Sequence, residues 1–259
     1  MKAVVLAGGR GTRLAPYTTI LPKPLMPLGN HPILEIIIKQ LRDSGFTEVT
    51  LAVGYLSHLL EAYFGDGQRF GIKIRYSHED KPLGTAGPLT LIPGLNEPFL
   101  VLNGDLLTNL DFREFYNYHV ERDADLTVSL YPKTVQISLG VLEIDPGARV
   151  TNYTEKPTYS YLASMGIYVI SPCALALLRT DQYCDLPDLV KGLLQSGGTV
   201  VGRVFEGDWF DIGRPDDYQA AAQYFQDQVD WTSLPVVPQV VPQVLPPKIP
   251  AIAVHTNGY

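Results

Sequence analysis

A glycine-rich turn carrying two cations is the first part of this chain whose residue types and spacing could do chemistry. It reads LAGGRGTRLAPYT and runs on into LPKPLMPLGNHPIL. Glycines 8, 9 and 11 let the backbone approach a ligand closely and turn its amides outward, while Arg13 and Lys23 can neutralise phosphate oxygens. Two familiar phosphate loops do not fit. A Walker A loop needs its Gly-Lys-Ser/Thr where this chain has Arg13, and a dinucleotide loop built on Gly9-x-Gly11 needs a small residue where it has Leu14.

Charge placement points the same way. The 259 residues sum to a formal net charge of −7, which argues against a polyanionic partner such as nucleic acid. Yet the first acidic residue is Glu35, so Lys2, Arg10, Arg13 and Lys23 open the chain with no carboxylate among them. A basic segment inside an acidic protein is where an anion could be held.

The elements that must position this loop follow from periodicity. KAVVLAG reads as a buried strand, and it is followed by a helix over 33–45, a strand over 48–54, a helix over 57–67 and a strand over 71–77. A helix over 84–92, a strand over 98–105 and a helix over 111–123 continue the alternation, which implies a mainly parallel sheet covered on both faces. From about residue 126 the pattern changes to short strands, LTVSLY, SLGVLEI, RVTNYTEK and SMGIYVIS, as expected of a substrate-binding insertion. Helices over 186–197 and 215–226 flank the strand TVVGRVF and the aromatic segment GDWFDIG. A composition 46% hydrophobic and 18% charged suits such a core and excludes disordered and fibrous classes.

Residues 1–228 are therefore expected as one domain and 229–259 as a proline-rich tail, extended and lying against its own domain or a neighbouring subunit. Cys173 and Cys184 have no Cys or His at metal-ligand spacing and are expected to be buried or half-buried thiols. No apolar run approaches the roughly 20 residues of a membrane span, and no cleavage pattern follows Met1-Lys2, so a cytoplasmic protein without membrane contact is expected.

The string AGGRGTRLAPYTTILPKPLMPLGNHPIL resembles the N-terminal signature of the sugar-1-phosphate nucleotidylyltransferases. The likeness continues through PLGTAG (82–87), LNGD (102–105), LGVLEID (139–145), EKP (155–157), GIYV (166–169) and WFDIGRPDDY (209–218), and so covers about 1–225 in order. It implies a Rossmann-like (GT-A-like) α/β fold, with a mainly parallel mixed sheet, helices on both faces and a strand-rich sugar-binding insertion. The implied reaction joins an NTP to a sugar 1-phosphate, whose phosphate attacks the α-phosphorus and expels pyrophosphate. Positioning and charge neutralisation should supply most of the catalysis.

By the same resemblance Arg13 and Lys23 would hold the β- and γ-phosphates, and Lys156 would set the sugar phosphate against the α-phosphorus. Leu6, Ala7, Gly8, Gly9, Gly11, Thr12, Gly84 and Thr85 would line the nucleotide site, with Asn103, Gly140, Glu155 and Gly166 on the sugar side. Asp105 and Asp211 would hold Mg²⁺, a hard octahedral ion suited to carboxylate, phosphate and water oxygens. A homo-oligomer is left open.

Nucleotide choice turns on Glu79, which stands five residues before Gly84 where thymidylyl- and uridylyltransferases often carry Gln. An ionised Glu only accepts hydrogen bonds, and guanine offers adjacent N1–H and N2–H₂ donors, which favours GTP. EDKPLGTAGPL is also most similar to mannose-1-phosphate guanylyltransferases. Many of those carry Asn-Ala-Gly where this chain has Ser164-Met165-Gly166, which keeps a heptose or glucose 1-phosphate open as the sugar. The rivals are a thymidylyl-, cytidylyl- or uridylyltransferase acting on glucose 1-phosphate, and a regulatory paralogue that binds NDP-sugar without turnover.

Overall fold

Near-continuous burial along the apolar strands Lys2–Ala7, Glu48–Val53 and Phe99–Asn103, whose successive side chains point to opposite faces, means that the sheet needs cover on both. In the computed structural model residues 1–227 are described, and the tail expected over 229–259 lies outside them. The chain runs β1 (Lys2–Ala7), the short pair β2 (Pro27–Leu28) and β3 (His31–Pro32), α1 (Ile33–Asp43), β4 (Glu48–Val53), α2 (Ser57–Phe64) and β5 (Lys73–His78). It continues through β6 (Phe99–Asn103), β7 (Leu106–Thr108), α3 (Phe112–Glu121), β8 (Leu126–Gln136), β9 (Val141–Ile144), β10 (Val150–Thr154) and β11 (Thr158–Ile170). Last come α4 (Leu186–Gln195), β12 (Val200–Val204), β13 (Trp209–Asp211) and α5 (Pro215–Asp227).

Seven strands form one sheet in the order β12-β8-β11-β6-β1-β4-β5. Neighbours are parallel except at β11, which runs antiparallel to both β6 and β8. In β6, Leu100 and Leu102 face one buried cluster while Phe99 and Val101 face the other; Ile167 and Val169 against Tyr168 and Ile170 do the same in β11. The first cluster is closed by the stripe Ile33, Leu34, Ile37 and Leu41 of α1 and by Phe112 and Phe115 of α3. Leu186, Leu189 and Leu193 of α4 close the second, each stabilising the fold by about 1.5–3 kcal/mol. β1 and β6 pair in parallel and therefore end at the same edge, which is where open α/β sheets bind ligands.

Three expectations need correction. Residues 84–92 are not an α-helix but a loop leading into a 3-10 turn, Gly87–Leu91, with Pro88 in its first turn. The amides of Ala86 and Gly87 donate to Cys184 O at 2.9 and 3.0 Å, a partner that only the fold supplies and that competes with helical bonding. The strand expected from Ser164 starts at Thr158, because Thr158–Ser164 pairs with Gln136–Leu130 as an antiparallel ribbon. Pro132 is tolerated there: β12 pairs with β8 only up to Leu130, so beyond that point β8 has a free edge. Cys173 is exposed rather than buried, its Sγ donating to Asp125 Oδ1 at 3.0 Å, while Cys184 is half-buried. Among the described residues no helix is long and apolar enough to cross a membrane.

Candidate active site

Where β1 stops, the glycine-rich turn forms one wall of a cavity of about 770 Å³. Leu6, Ala7, Gly8, Gly9, Gly11, Thr12, Arg13, Lys23, Glu79, Gly84 and Thr85, all assigned to the nucleotide, line it together with Asn103 and Asp105. Glu79 is drawn in by its neighbours: Leu83 N donates to its Oε2 at 3.1 Å. A Cβ placed on Gly8 would lie 2.5 Å from Glu79 Oε1, so a side chain at position 8 would push the Glu79 carboxylate aside. Burial pushes the Glu79 carboxyl pKa up, and the Leu83 amide only partly opposes it.

Two short strands build an acidic pair here: Asp105 lines this cavity, and Asp211, exposed, lines a smaller one beside it. β13 runs antiparallel to β7 with Asp211 opposite Leu106, and Ile212 N donates to Asp105 O at 3.1 Å. Residues about a hundred positions apart in sequence thereby become neighbours. Lys23, 7% exposed, pairs with Asp105 Oδ2. Asp105 Oδ1 is buried without a hydrogen-bond partner among the described residues, which is costly for a carboxylate oxygen unless a cation meets it. Crowding by protein and then the Asp105 charge push the Asp211 carboxyl pKa up, against the pull of Lys23 and Arg13. A buried oxygen without a partner, in a residue whose charge is felt at a second, disfavoured carboxylate, fits a divalent cation. No group of three or more His, Cys, Asp or Glu suited to a metal occurs among the described residues, so such a cation would take its remaining ligands from phosphate and water oxygens.

The 83–87 loop is held by a residue the sequence did not single out and that lines the same cavity. Asp185, the residue before α4, accepts from Thr85 N at 3.0 Å and Thr85 Oγ1 at 3.2 Å, and its other oxygen accepts from Tyr183 OH at 2.8 Å. Thr85 Oγ1 accepts in return from Leu186 N at 2.7 Å. The only hint in the sequence was an Asp directly before a helical run, which reads as an ordinary cap. Asp185→Ala removes the acceptor of Thr85 N and loosens the loop: nucleotide KM should rise about tenfold with kcat changed far less. Steady-state kinetics check this split, and a fall in kcat alone would contradict it.

The sugar-side residues divide. Gly166, at φ +75°, packs so closely that a Cβ would lie 2.6 Å from Asn103 Nδ2, which ties the β11 bulge to the cavity. Gly140, Glu155 and Lys156 lie around the β9–β10 hairpin and line neither the loop cavity nor the one beside it. There the Tyr153 hydroxyl donates to Glu155 Oε2 at 2.6 Å and its ring fills the space beside Gly140. Lys156 is exposed and holds a left-handed backbone at φ +44°, unusual for a residue with a side chain. Lys133 and Arg214, which line the second cavity, were not foreseen. Arg214 sat inside the quoted WFDIGRPDDY run, but Lys133 lies in a strand with no motif.

The family model for nucleotidyl transferases matches residues 2–228. A UTP–glucose-1-phosphate uridylyltransferase of Synechocystis sp. is 35% identical over 241 residues, covering 85% of this chain and 62% of that protein. The mannose-1-phosphate guanylyltransferase catalytic subunit beta of Danio rerio is 38% identical over 229 residues, covering 84% and 62%. The chain thus spans about 62% of the length of these relatives. Among solved structures, HddC from Yersinia pseudotuberculosis complexed with GMP-PN superposes with a TM-score of 0.66 at 26% identity, over 86% of this chain and 99% of that one.

Proposed function

The chain belongs to the nucleotidyl transferase family, and on that premise we propose that it moves the nucleotidyl group of GTP onto mannose 1-phosphate with Mg²⁺. The observation that carries this reading is the Asp105–Asp211 pair, with its orphaned oxygen, set beside Arg13 and Lys23 at the mouth of the glycine-rich loop. A phosphate oxygen of the sugar 1-phosphate forms the new bond to the α-phosphorus, and the bond from that phosphorus to the β-phosphate bridging oxygen breaks as pyrophosphate leaves. The nucleophile arrives ionised, so no general base is needed, and the attack is in line.

Asp105 and Asp211 would hold the Mg²⁺, which when bound neutralises phosphate charge and orients the α-phosphoryl group. Arg13 and Lys23 stabilise the negative charge that builds on the leaving pyrophosphate. The loop amides hold the chain of phosphates, and Asn103, backed by Gly166, forms the sugar side of the cavity. Glu155 and Lys156 stand outside both cavities, so their role at the sugar phosphate requires the β9–β10 hairpin to approach when substrate binds.

The guanine assignment rests on Glu79 as an acceptor-only edge inside the cavity, supported by the guanylyltransferase relative and by the GMP-PN complex of HddC. The uridylyltransferase relative supports the second reading, UTP with glucose 1-phosphate. Glu79→Gln should therefore lower kcat/KM for GTP by about tenfold or more relative to dTTP; equal loss for both would remove the argument. A pH profile adds a check of sign. The Glu79 pKa is raised by burial, so its ionised, guanine-accepting form is lost on acidification at a higher pH than an ordinary Glu would lose it. KM for GTP should climb as pH falls through that value in the wild type and stay flat in the Gln variant.

A further inference from the structure

Beside the loop cavity lies a second one of about 390 Å³, within the range of small-ligand clefts. Arg13 lines both, so the two adjoin at this residue. Lys133, from the part of β8 that extends beyond β12, and Arg214, from the turn before α5, complete a group of three cations drawn from three separate segments. None of the three takes part in an ion pair among the described residues, whereas Lys23 and Arg203 both do. Asp211 and Asp217 also face this cavity, leaving three cations against two carboxylates, one of which is the proposed magnesium ligand.

Like charges brought to one small cavity repel unless an anion joins them, and guanidinium forks match the oxygens of a phosphoryl group. We propose that this cavity is a phosphoryl-anion subsite, in which Lys133 and Arg214 extend the hold of Arg13 to the outer oxygens of a bound phosphate. It rests on the reading above in one respect, that Arg13 faces the phosphates of a substrate. Two sources share this chemistry: the pyrophosphate end of the nucleotide, and the phosphate of the sugar 1-phosphate.

The test is calorimetric titration of the whole chain, and of Lys133→Gln and Arg214→Gln, with pyrophosphate, mannose 1-phosphate and GMP in turn, each with Mg²⁺. Each variant should bind one of the two phosphoryl ligands about tenfold or more weakly, with GMP affinity and thermal unfolding unchanged. Loss confined to pyrophosphate identifies the leaving-group end; loss confined to mannose 1-phosphate identifies the acceptor. Unchanged titrations with both ligands would overturn the subsite, as would a parallel loss of GMP binding or a wild type that binds neither anion. Binding is read here without turnover. A chain that proves inactive but shows the loss keeps the subsite and loses the proposed function, and an active chain with unchanged titrations does the reverse.

Discussion

Asp211→Asn should cut turnover to about a thousandth of wild type or less while leaving the fold at least as stable as before. The catalytic half follows from charge: the amide cannot replace a carboxylate as a cation ligand, and a lost metal contact is felt wherever phosphate charge must be neutralised. The stability half follows from the pKa direction. Crowding and the nearby Asp105 raise the Asp211 pKa above its unfolded value. The stability that this shift contributes is present only below the ordinary Asp range and is lost as pH rises through the raised value. At neutral pH the folded state therefore carries a charge it disfavours, and a neutral amide relieves it by a small amount, because Asp211 is exposed and solvent screens the charge. Metal-free thermal unfolding at pH 7 checks the prediction; a clear fall in Tm for Asp211→Asn would show the carboxylate to be structurally needed. Asp105→Asn should be equally inactive but less stable, because it also removes the partner of Lys23.

Lys23→Met should be the most destabilising single change at the site. The Lys23 side chain is 9% exposed and that of Asp105 23%, so removing the ammonium leaves a largely buried carboxylate beside Asp211 with no paired cation. Breaking a buried pair by deleting one partner costs about 3–5 kcal/mol, and the partial exposure of Asp105 brings the expectation to about 2–4 kcal/mol. For a domain of this size that is a fall in Tm of about 5–15 °C. The double variant Lys23→Met/Asp105→Asn should recover most of the stability and none of the activity. Denaturant unfolding of the two single variants and the double gives the coupling directly. A Lys23→Met protein as stable as wild type would mean that the pair does not hold the cavity floor.

The comparison of sequence with structure is clearest at particular residues. Glycine 8, Arg13 and Lys23 stood out by type and spacing, but a glycine-rich turn after a strand is common, and only the longer string that resembles the family made them specific. Asp105 was legible as the end of an apolar strand, but its meeting with Asp211 was not: that depends on β7 pairing with β13, two three-residue strands too short to carry a periodic signal. Only the resemblance linked them.

The same limit hid Asp185. A cap before α4 is a local pattern, whereas its bonds to Thr85 depend on two segments a hundred positions apart arriving side by side. Helical spacing over 84–92 was outweighed for a related reason, since the Cys184 carbonyl takes amides that a helix would have used. Lys133 and Arg214 carried no usable signal singly, because a lone exposed cation in a strand or before a helix is usually a solvated charge.

The central claim is a direct, metal-dependent transfer between two bound phosphates with no nucleotidyl-enzyme stage. Its most direct test measures pyrophosphate and GDP-sugar together, from GTP with and without mannose 1-phosphate in the presence of Mg²⁺, with the other nucleotides and sugar phosphates in parallel. One pyrophosphate should appear per sugar nucleotide formed and none from GTP alone. Pyrophosphate released without a sugar phosphate, or no release with any pair of substrates, would contradict it.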